Sequence, residues 1–340
     1  MSATTLKDTA LALVAPGKGI LAADESHATI GRRFEALGIP NNEEQRRRYR
    51  QMLFTTKGIS EFISGVILFD ETIRQSADDG RTFVGVLASE GIIPGIKVDR
   101  GAKPLAGAPG EQVTEGLDGL RERLAEYRKL GARFAKWRAV IAIGEDGRTP
   151  TRLCLEANAH ALARYAALCQ EAEIVPIVEP EVLMDGGHSI ERCFEVAEAT
   201  LHTVFHALWE HNVVLEGLLL KPNMVLPGTT SARQAPVEEV AEATVRCLLR
   251  SVPAAVPGIV FLSGGQGDEQ ATARLDALNR GGPAPWQLSF SFGRALQGPV
   301  LHAWSGDPAQ AEAAKRALLH RAECNGAARH GEYTAALETS

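Results

Sequence analysis

A lysine that ends an apolar run is the residue in this sequence best suited to attack a carbonyl carbon. Residues 217–220 are glycine and leucine, Lys221 follows them, and Pro222 comes next. The run predicts a strand covered on both faces, and the proline predicts that regular pairing stops there. Because burial disfavours an ammonium, a neutral and nucleophilic amine becomes accessible at such a position. A lone lysine of this kind more often extends its charge to solvent, so its neighbours decide between the two interpretations.

Two glutamates and a second lysine supply what carbonyl chemistry at Lys221 would need. Glu179 and Glu181 are two residues apart in an apolar stretch, so their side chains face the same side of an extended strand. Neighbouring carboxylates push their proton affinities apart, which lets one act as a base while the other stays an acid. A nearby ammonium such as Lys136 further favours the neutral form of Lys221. These residues predict a Schiff-base nucleophile served by an acid–base pair.

Two glycine-containing segments near the end of the chain predict an anion site. Residues 263–265, Ser-Gly-Gly, follow an apolar run, and their backbone N–H groups can converge on an anion before a helix begins at about residue 268. Gly293 and Arg294 close the next run with a close backbone approach and a bidentate guanidinium. Arg33, far upstream, is a candidate for a second anion site.

Eight short apolar runs, which alternate with helical stretches, must position these polar residues. The runs cover residues 19–24, 65–70, 95–99, 134–141, 174–181, 214–221, 259–263 and 288–294. Residues 117–130, 157–169, 190–209 and 237–249 repeat apolar side chains at helical spacing. This alternation predicts an α/β fold, a parallel (β/α)8 TIM barrel with extra helices, whose carboxyl-terminal end gathers the polar residues. A doubly wound open sheet is the alternative, but no Gly-x-Gly-x-x-Gly fingerprint follows the first run.

The composition is that of an ordinary globular chain. The 340 residues are 45% hydrophobic and carry a formal net charge of −6, which argues against a nucleic-acid-binding surface. No apolar segment reaches the length of a membrane span, and the start lacks the pattern of a secretion signal. Five scattered cysteines without Cys-x-x-Cys spacing predict free thiols in a reducing cytoplasm. We expect one domain over residues 1–340, with a short flexible tail from about residue 326.

Ten segments, in order along the chain, resemble those of a known family. They include residues 19–26 (GILAADES), 134–138 (FAKWR), 177–181 (IVEPE), 219–225 (LLKPNMV), 261–266 (FLSGGQ) and 293–297 (GRALQ). With residues 65–69, 95–99, 104–107 and 116–119, they are similar to class I fructose-bisphosphate aldolase over nearly the whole chain. The resemblance implies a lyase of glycolysis and gluconeogenesis, which reversibly cleaves fructose 1,6-bisphosphate to dihydroxyacetone phosphate and glyceraldehyde 3-phosphate through a lysine Schiff base.

The resemblance also implies a role for each matching residue. Lys221 corresponds to the Schiff-base lysine, Glu179 to the general acid/base of carbon–carbon cleavage, and Glu181 to its partner in carbinolamine formation and dehydration. Asp24 and Lys136 match residues that assist substrate placement and proton transfer. The substrate-binding positions implied by the family are Lys97, Ser263, Gly264, Gly265, Gly293 and Arg294, with Arg33 beside the other phosphate and Arg46 and Arg138 as further basic residues there.

The family further implies no cofactor and no metal, a homotetramer, and partners that are sugar phosphates rather than nucleic acid or membrane. Two other interpretations stay open, namely another Schiff-base sugar-phosphate aldolase and a non-catalytic barrel scaffold. Intact Lys221, Glu179 and Arg294 favour the enzyme over the scaffold. His202 and His206 lie one helical turn apart, but no carboxylate motif accompanies them, so a solvated helix face is favoured over a metal site.

Overall fold

The structure, a computed structural model, describes residues 3–339. Its strands are β1 (Gly19–Ala22), β2 (Ile63–Leu68), β3 (Ile93–Lys97), β4 (Ala102–Pro104), β5 (Gln112–Thr114), β6 (Phe134–Ile141), β7 (Val175–Val182), β8 (Leu219–Leu220), β9 (Gly258–Phe261) and β10 (Gln287–Phe292). Eight of them close into a parallel barrel in the order β1, β10, β9, β8, β7, β6, β3, β2, while β4 and β5 form an antiparallel hairpin. The predicted (β/α)8 barrel is confirmed, because β1 pairs with both β2 and β10 and leaves no open edge.

Helices connect the barrel strands. They are α1 (Ala3–Leu13), α2 (His27–Glu35), α3 (Glu43–Phe54), α4 (Asp70–Ile73), α5 (Phe83–Ser89), α6 (Leu120–Leu130), α7 (Arg152–Glu171), α8 (Ile190–Glu210), α9 (Val237–Ser251), α10 (Asp268–Arg280), α11 (Arg294–Trp304) and α12 (Ala311–His330). All four predicted helices are present. Helix α7 begins at Arg152 rather than residue 157, because the Thr151 side chain caps it by accepting the N–H of Cys154. Among the described residues, no helix combines the length and apolar character needed to cross a bilayer.

The sixth barrel strand is much shorter than the predicted residues 214–221. Only Leu219–Leu220 pairs as a strand, and Leu215–Gly217 forms a 3-10 turn. This turn packs against α1, where a Cβ on Gly217 would lie 3.0 Å from the Cβ of Leu6. The prediction of a long strand was wrong because an apolar run looks the same whether it pairs in a sheet or packs under a helix. Lys221 still lies at the strand end, since its N–H donates to the Val178 carbonyl at 2.8 Å.

The lower half of the barrel interior is an apolar cluster closed by α1. Its buried members are Ala10, Leu13, Val14, Ile20, Ala22, Ile67, Phe134, Val175, Ile177, Leu219 and Val260. Glycine provides the space for the largest of these side chains, because a Cβ on Gly95 would lie 2.3 Å from the ring of Phe134. The Leu13 carbonyl accepts the Ser64 hydroxyl at 2.5 Å, which joins α1 to β2. The barrel is therefore filled at this end, and only its other end can hold a ligand.

The carboxyl-terminal residues lie against the outer helices. Helix α12 extends to His330, so the predicted tail boundary near residue 326 falls inside a helix. Beyond it, the Tyr333 N–H donates to Asp276 Oδ1 at 2.8 Å. A 3-10 turn at Ala335–Thr339 follows.

Candidate active site

A cavity of about 880 Å³ opens at the carboxyl-terminal end of the barrel. Its wall contains residues from the ends of the barrel strands and from the loops that follow them. Of the fourteen candidate site residues named from the sequence, all but Arg46 line this one cavity: Asp24, Arg33, Lys97, Lys136, Arg138, Glu179, Glu181, Lys221, Ser263, Gly264, Gly265, Gly293 and Arg294. Barrel closure thus brings together residues from opposite ends of the sequence.

The alternation of side chains along the adjacent strands β6 and β7 directs charged side chains into the cavity. Strands β6 and β7 are aligned over their full length, from Phe134 opposite Val175 onward. Lys136 follows Phe134 by two residues, and Glu179 follows Ile177 by two. Because alternate residues share a face, both charged side chains lie directly above members of the apolar cluster. The position of each group is therefore fixed by the packed layer beneath it.

Glu179 lies between two lysine side chains. Its Oε1 is 3.1 Å from Lys221 Nζ, and its Oε2 is 3.1 Å from Lys136 Nζ. Lys136 Nζ also lies 2.8 Å from Asp24 Oδ2. Lys221 and Lys136 are each 4% exposed, and Glu179 is 3% exposed. These four side chains form a chain of alternating acids and bases, so each carboxylate lies beside a lysine in surroundings that largely exclude water.

Burial and charge act in opposite directions on these groups. Burial alone would raise the pKa of Asp24, but the charges of Lys136 and Lys221 outweigh it and lower the pKa to about 2. Burial also acts to raise the pKa of Glu179, which the same lysines and Arg138 hold below its ordinary value. For Lys136, burial favours the neutral amine, yet the carboxylates of Asp24 and Glu179 raise its pKa. At neutral pH, Glu179 is therefore an ionised carboxylate that can accept a proton beside Lys221.

Glu181, the second carboxylate of β7, has different partners from Glu179. Arg138 Nε donates to Glu181 Oε2. The other oxygen faces the loop after β9, where a Cβ on Gly264 would lie 2.9 Å from Glu181 Oε1. Glycine at this position leaves room for the carboxylate beside the loop. The two glutamates share one face of the strand, as predicted, but each lies in its own electrostatic environment.

The loops after β9 and β10 form one wall of the cavity. Gly265 adopts a positive φ of 73°, a backbone conformation that favours glycine. Helix α10 begins at Asp268, as predicted, and α11 begins at Arg294 itself. Arg294 Nη2 donates to the Gln266 carbonyl at 3.3 Å and joins the two loops. Residues near two helix starts and the guanidinium of Arg294 therefore line the same cavity, a combination that suits an anion such as phosphate.

Arg33 also lines the cavity and is held by the carboxylate of Glu25, whose side chain is 6% exposed. Its Nη1 donates to Glu25 Oε1 at 2.6 Å, while Arg50 Nη2 donates to Glu25 Oε2 at 2.5 Å. Gln297 Nε2 donates to Glu25 Oε1 at 2.8 Å. Arg46, which the resemblance matched to the same region, makes a two-pronged ion pair with Glu71 at 2.6 and 2.7 Å. Of these arginines, only Arg33 lines the cavity.

Several residues of the site were missed in the sequence. Glu25 orients Arg33, and Asp99 pairs with Lys97 through its Oδ1 and accepts the Arg138 N–H through its Oδ2. Glu25 directly follows Asp24, and Asp99 lies two residues after Lys97. This closeness to predicted site residues is the only sign in the sequence that could have identified them. Three further arginines, Arg74, Arg100 and Arg123, line the cavity. Arg123 was not distinguished because it lies on the charged face of a helix that the sequence alone assigns to solvent.

The cysteines and the paired histidines lie outside this site. All five thiols are free, as predicted, and all of them are buried. Over the described chain, none of them lines the cavity. Burial raises the pKa of Cys193 to about 12 and that of Cys154 to about 11, so these thiols stay protonated. His202 and His206 are exposed on α8, and His206 Nε2 lies 3.4 Å from Glu210 Oε1. The prediction of a solvated helix face is confirmed.

Comparisons with known proteins agree over almost the entire chain. The family model for fructose-bisphosphate aldolase class-I matches residues 5–340. A probable fructose-bisphosphate aldolase class 1 of Xanthomonas campestris is 61% identical over 98% of this chain and 99% of its own length. Fructose-bisphosphate aldolase of Dictyostelium discoideum is 54% identical over 96% of this chain and 92% of its own. A solved structure of fructose-bisphosphate aldolase from Plasmodium falciparum, in complex with TRAP and a small-molecule inhibitor, has a TM-score of 0.96 at 50% identity and covers 97% of this chain and 95% of that one.

The family match, the identities and the fold agree with the motifs that surround the cavity. The match extends over the elements that carry Asp24 at one end of the sequence and Arg294 at the other. The chain belongs to the class I fructose-bisphosphate aldolase family.

Proposed function

We propose that Lys221 is the Schiff-base nucleophile with which this chain reversibly cleaves fructose 1,6-bisphosphate to dihydroxyacetone phosphate and glyceraldehyde 3-phosphate. The observation that supports this most strongly is the position of Glu179, whose oxygens lie 3.1 Å from Lys221 Nζ and 3.1 Å from Lys136 Nζ. A nucleophile with a base in reach, and a third group that orients the base, is the general arrangement of covalent catalysis. Lys221 has both partners.

Imine formation is the first half of the reaction. Lys221 Nζ attacks the C2 ketone of the open-chain substrate to give a carbinolamine. Glu181, held by Arg138, transfers a proton from solvent to the carbinolamine oxygen, and water leaves. The nitrogen keeps a positive charge as a protonated imine. This cation polarises the substrate in the way that a Lewis-acidic metal ion would in another aldolase mechanism.

Carbon–carbon cleavage is the second half. Ionised Glu179 removes the proton of the C4 hydroxyl, the bond between C3 and C4 breaks, and its electron pair moves toward the iminium nitrogen. Glyceraldehyde 3-phosphate leaves, and an enamine remains on Lys221. Protonation of C3 and hydrolysis of the imine release dihydroxyacetone phosphate and restore the amine. Lys136, between Asp24 and Glu179, keeps both carboxylates ionised and in position.

The walls of the cavity hold the two phosphates. The N–H groups of residues 263–265, Gly293 and the guanidinium of Arg294 bind one phosphate, and Arg33 binds the other. Lys97, oriented by Asp99, contacts the sugar between them. Fixing both ends of the substrate places C2 against Lys221 Nζ, and this positioning lowers the entropic part of the barrier.

Family membership supports two further inferences about the setting of this reaction. We infer that the chain acts in the cytoplasm, in glycolysis and gluconeogenesis, since its five free thiols suit a reducing compartment. We also infer that it assembles as a homotetramer. Sedimentation of the purified chain tests the second inference, and a monomeric mass would contradict it.

Release of glyceraldehyde 3-phosphate from the purified chain tests the proposed reaction. We expect release from fructose 1,6-bisphosphate at the same rate with and without EDTA. Fructose 6-phosphate, which lacks one phosphate, is the matched substrate and should react with a much lower kcat/KM. A reaction that stops with EDTA and returns with a divalent metal would overturn the imine mechanism.

A further inference from the structure

Three side chains with metal-binding atoms converge where the carboxyl-terminal turn meets α12, away from the catalytic cavity. His320 and Cys324 lie one helical turn apart on α12, and Glu338 comes from the turn at Ala335–Thr339. His320 Nε2 is 3.8 Å from Cys324 Sγ and 3.6 Å from Glu338 Oε2. We propose that these three residues, the terminal cluster, bind one transition-metal ion of the Zn²⁺ type per chain.

The spacing of the three donor atoms suits such an ion. All of them lie within 4.8 Å of one another. A point equidistant from the three atoms is then at most about 2.4 Å from each, and zinc bonds to nitrogen, oxygen and sulfur measure about 2.0 to 2.3 Å. Small side-chain rotations are enough to close this difference. The His320 side chain is 30% exposed, which gives the ion a path from solvent and leaves a fourth position for water.

The chemistry of the donors selects the kind of metal. Imidazole and thiolate are ligands for zinc and its neighbours in the first transition row, whereas Mg²⁺ and Ca²⁺ prefer oxygen ligands alone. Binding exchanges the Cys324 S–H bond for a metal–sulfur bond and releases one proton to solvent. No electron is transferred. The thiolate supplies one negative charge to the ion, and the Glu338 carboxylate would share its charge between the ion and Arg321.

A second layer of hydrogen bonds orients the carboxylate ligand. Glu338 Oε1 accepts the Tyr333 hydroxyl at 2.7 Å and Arg321 Nη1 at 2.5 Å, and Arg321 Nη1 also donates to Glu338 Oε2. Arg321 is buried and also donates to Thr272 Oγ1 on α10. Such contacts behind a ligand are a regular feature of metal sites, because they fix the ligand before the ion arrives. Glu338 Oε2 also lies 3.6 Å from His320 Nε2, so a bound ion would share this oxygen with Arg321.

A bound ion would join the carboxyl-terminal turn to α12 at a second point, in addition to the Arg321–Glu338 pair. None of the three ligands lines the catalytic cavity within residues 3–339. The site is therefore structural, and its occupancy should change the stability of the folded chain rather than the rate of cleavage. This inference is independent of the role proposed for Lys221.

A cobalt titration of the full-length chain, freed of metal with a chelator and then dialysed, tests the terminal cluster. We expect saturation at one Co²⁺ per chain, with a thiolate-to-cobalt charge-transfer band and the visible bands of a tetrahedral ion. Cys324→Ser should remove the charge-transfer band, and His320→Gln should weaken binding at least about tenfold. His202→Gln, which changes an exposed histidine elsewhere, is the matched control and should leave the titration unchanged.

A variant that keeps all three ligands makes the test independent of folding defects. Tyr333→Phe removes only the hydrogen bond behind Glu338 and should lower the cobalt affinity about 10- to 100-fold. Added Zn²⁺ should raise the unfolding temperature of the wild-type chain and have no effect on Cys324→Ser. A wild-type chain that gives no charge-transfer band, or a band that persists in Cys324→Ser, would overturn the proposal.

Discussion

Strands β6 and β7 carry two kinds of side chain into the barrel. Apolar side chains form a lower layer at the end closed by α1, and charged side chains form an upper layer that lines the catalytic cavity. Phe134 and Ile177 belong to the apolar cluster, while Lys136 and Glu179, one inward position further along, form an ion pair at 3.1 Å. All four are buried to a similar degree. Burial of charge costs free energy even when the charges are paired, whereas burial of apolar surface stabilises the fold. The lower layer therefore provides the stability that lets the upper layer hold reactive groups in place.

We expect changes in the charged upper layer to affect mainly activity and changes in the apolar lower layer to affect mainly stability. The largest effect is expected at the nucleophile. Lys221→Met removes the attacking nitrogen and should lower kcat by about 10⁵-fold or more, since loss of a nucleophile in a cooperative site removes most of the catalysis. Steady-state cleavage of fructose 1,6-bisphosphate measures it. Lys57→Met, at an exposed lysine, is the control, and a Lys221→Met variant with more than about 1% of wild-type kcat would contradict the assignment.

The second effect concerns the carboxylate beside the nucleophile. Glu179→Gln keeps the size of the side chain but cannot accept the C4 hydroxyl proton, so kcat should fall about 10²- to 10⁴-fold. Imine formation on Lys221 should survive, because Glu181 serves that step in our mechanism. Single-turnover kinetics separate the two steps. Equal loss of imine formation and cleavage would show that the two glutamates do not divide the work as proposed.

The third effect belongs to the lower layer. Phe134→Ala should lower the free energy of unfolding by about 3 to 5 kcal/mol, because it leaves a cavity in a fully buried cluster. The kcat of the folded fraction should change much less. Urea denaturation and a cleavage assay at low temperature measure both quantities. Leu153→Ala, at a leucine that is 50% exposed, is the control, and a large loss of kcat without loss of stability in Phe134→Ala would break the comparison.

The smallest effect is the contribution of Asp24 to stability, which should depend on pH. The pKa of Asp24 is lowered from 3.8 to about 2 in the folded chain, so the ionised form stabilises the fold above pH 3.8 and loses this effect as the pH falls toward 2. Compared with Asp24→Asn, the wild type should be about 2 kcal/mol more stable at pH 7, and about half of that difference should be gone at pH 3. Urea denaturation across this range measures the difference. A difference that stays constant with pH would contradict the electrostatic explanation.

The sequence predicted the fold and the residues that line the cavity better than it predicted the contacts among those residues. Periodicity marked the barrel strands, and Lys97, Lys136 and Lys221 stood out because a charge is rare in an apolar run. The sequence pattern could not predict that residues 215–217 form a turn, because packing under α1 decides this.

Contacts between residues far apart in the chain could not be predicted from the sequence either. Arg50 and Gln297 both contact Glu25, and spacing gives no sign that these residues meet. The same holds for Glu179, whose place between two lysines depends on the closed barrel. Strand periodicity determines which way a side chain points, but only the assembled fold determines its distance from another one.

Borohydride trapping with dihydroxyacetone phosphate in the presence of EDTA, followed by peptide mass spectrometry, tests the role of Lys221 most directly. We predict a reduced adduct on Lys221 alone, although Lys136 and Lys97 line the same cavity. The Lys221→Met variant should give no adduct at either of these other lysines. An adduct on Lys136 or Lys97, or none in the wild-type chain, would contradict the assignment of Lys221 as the nucleophile.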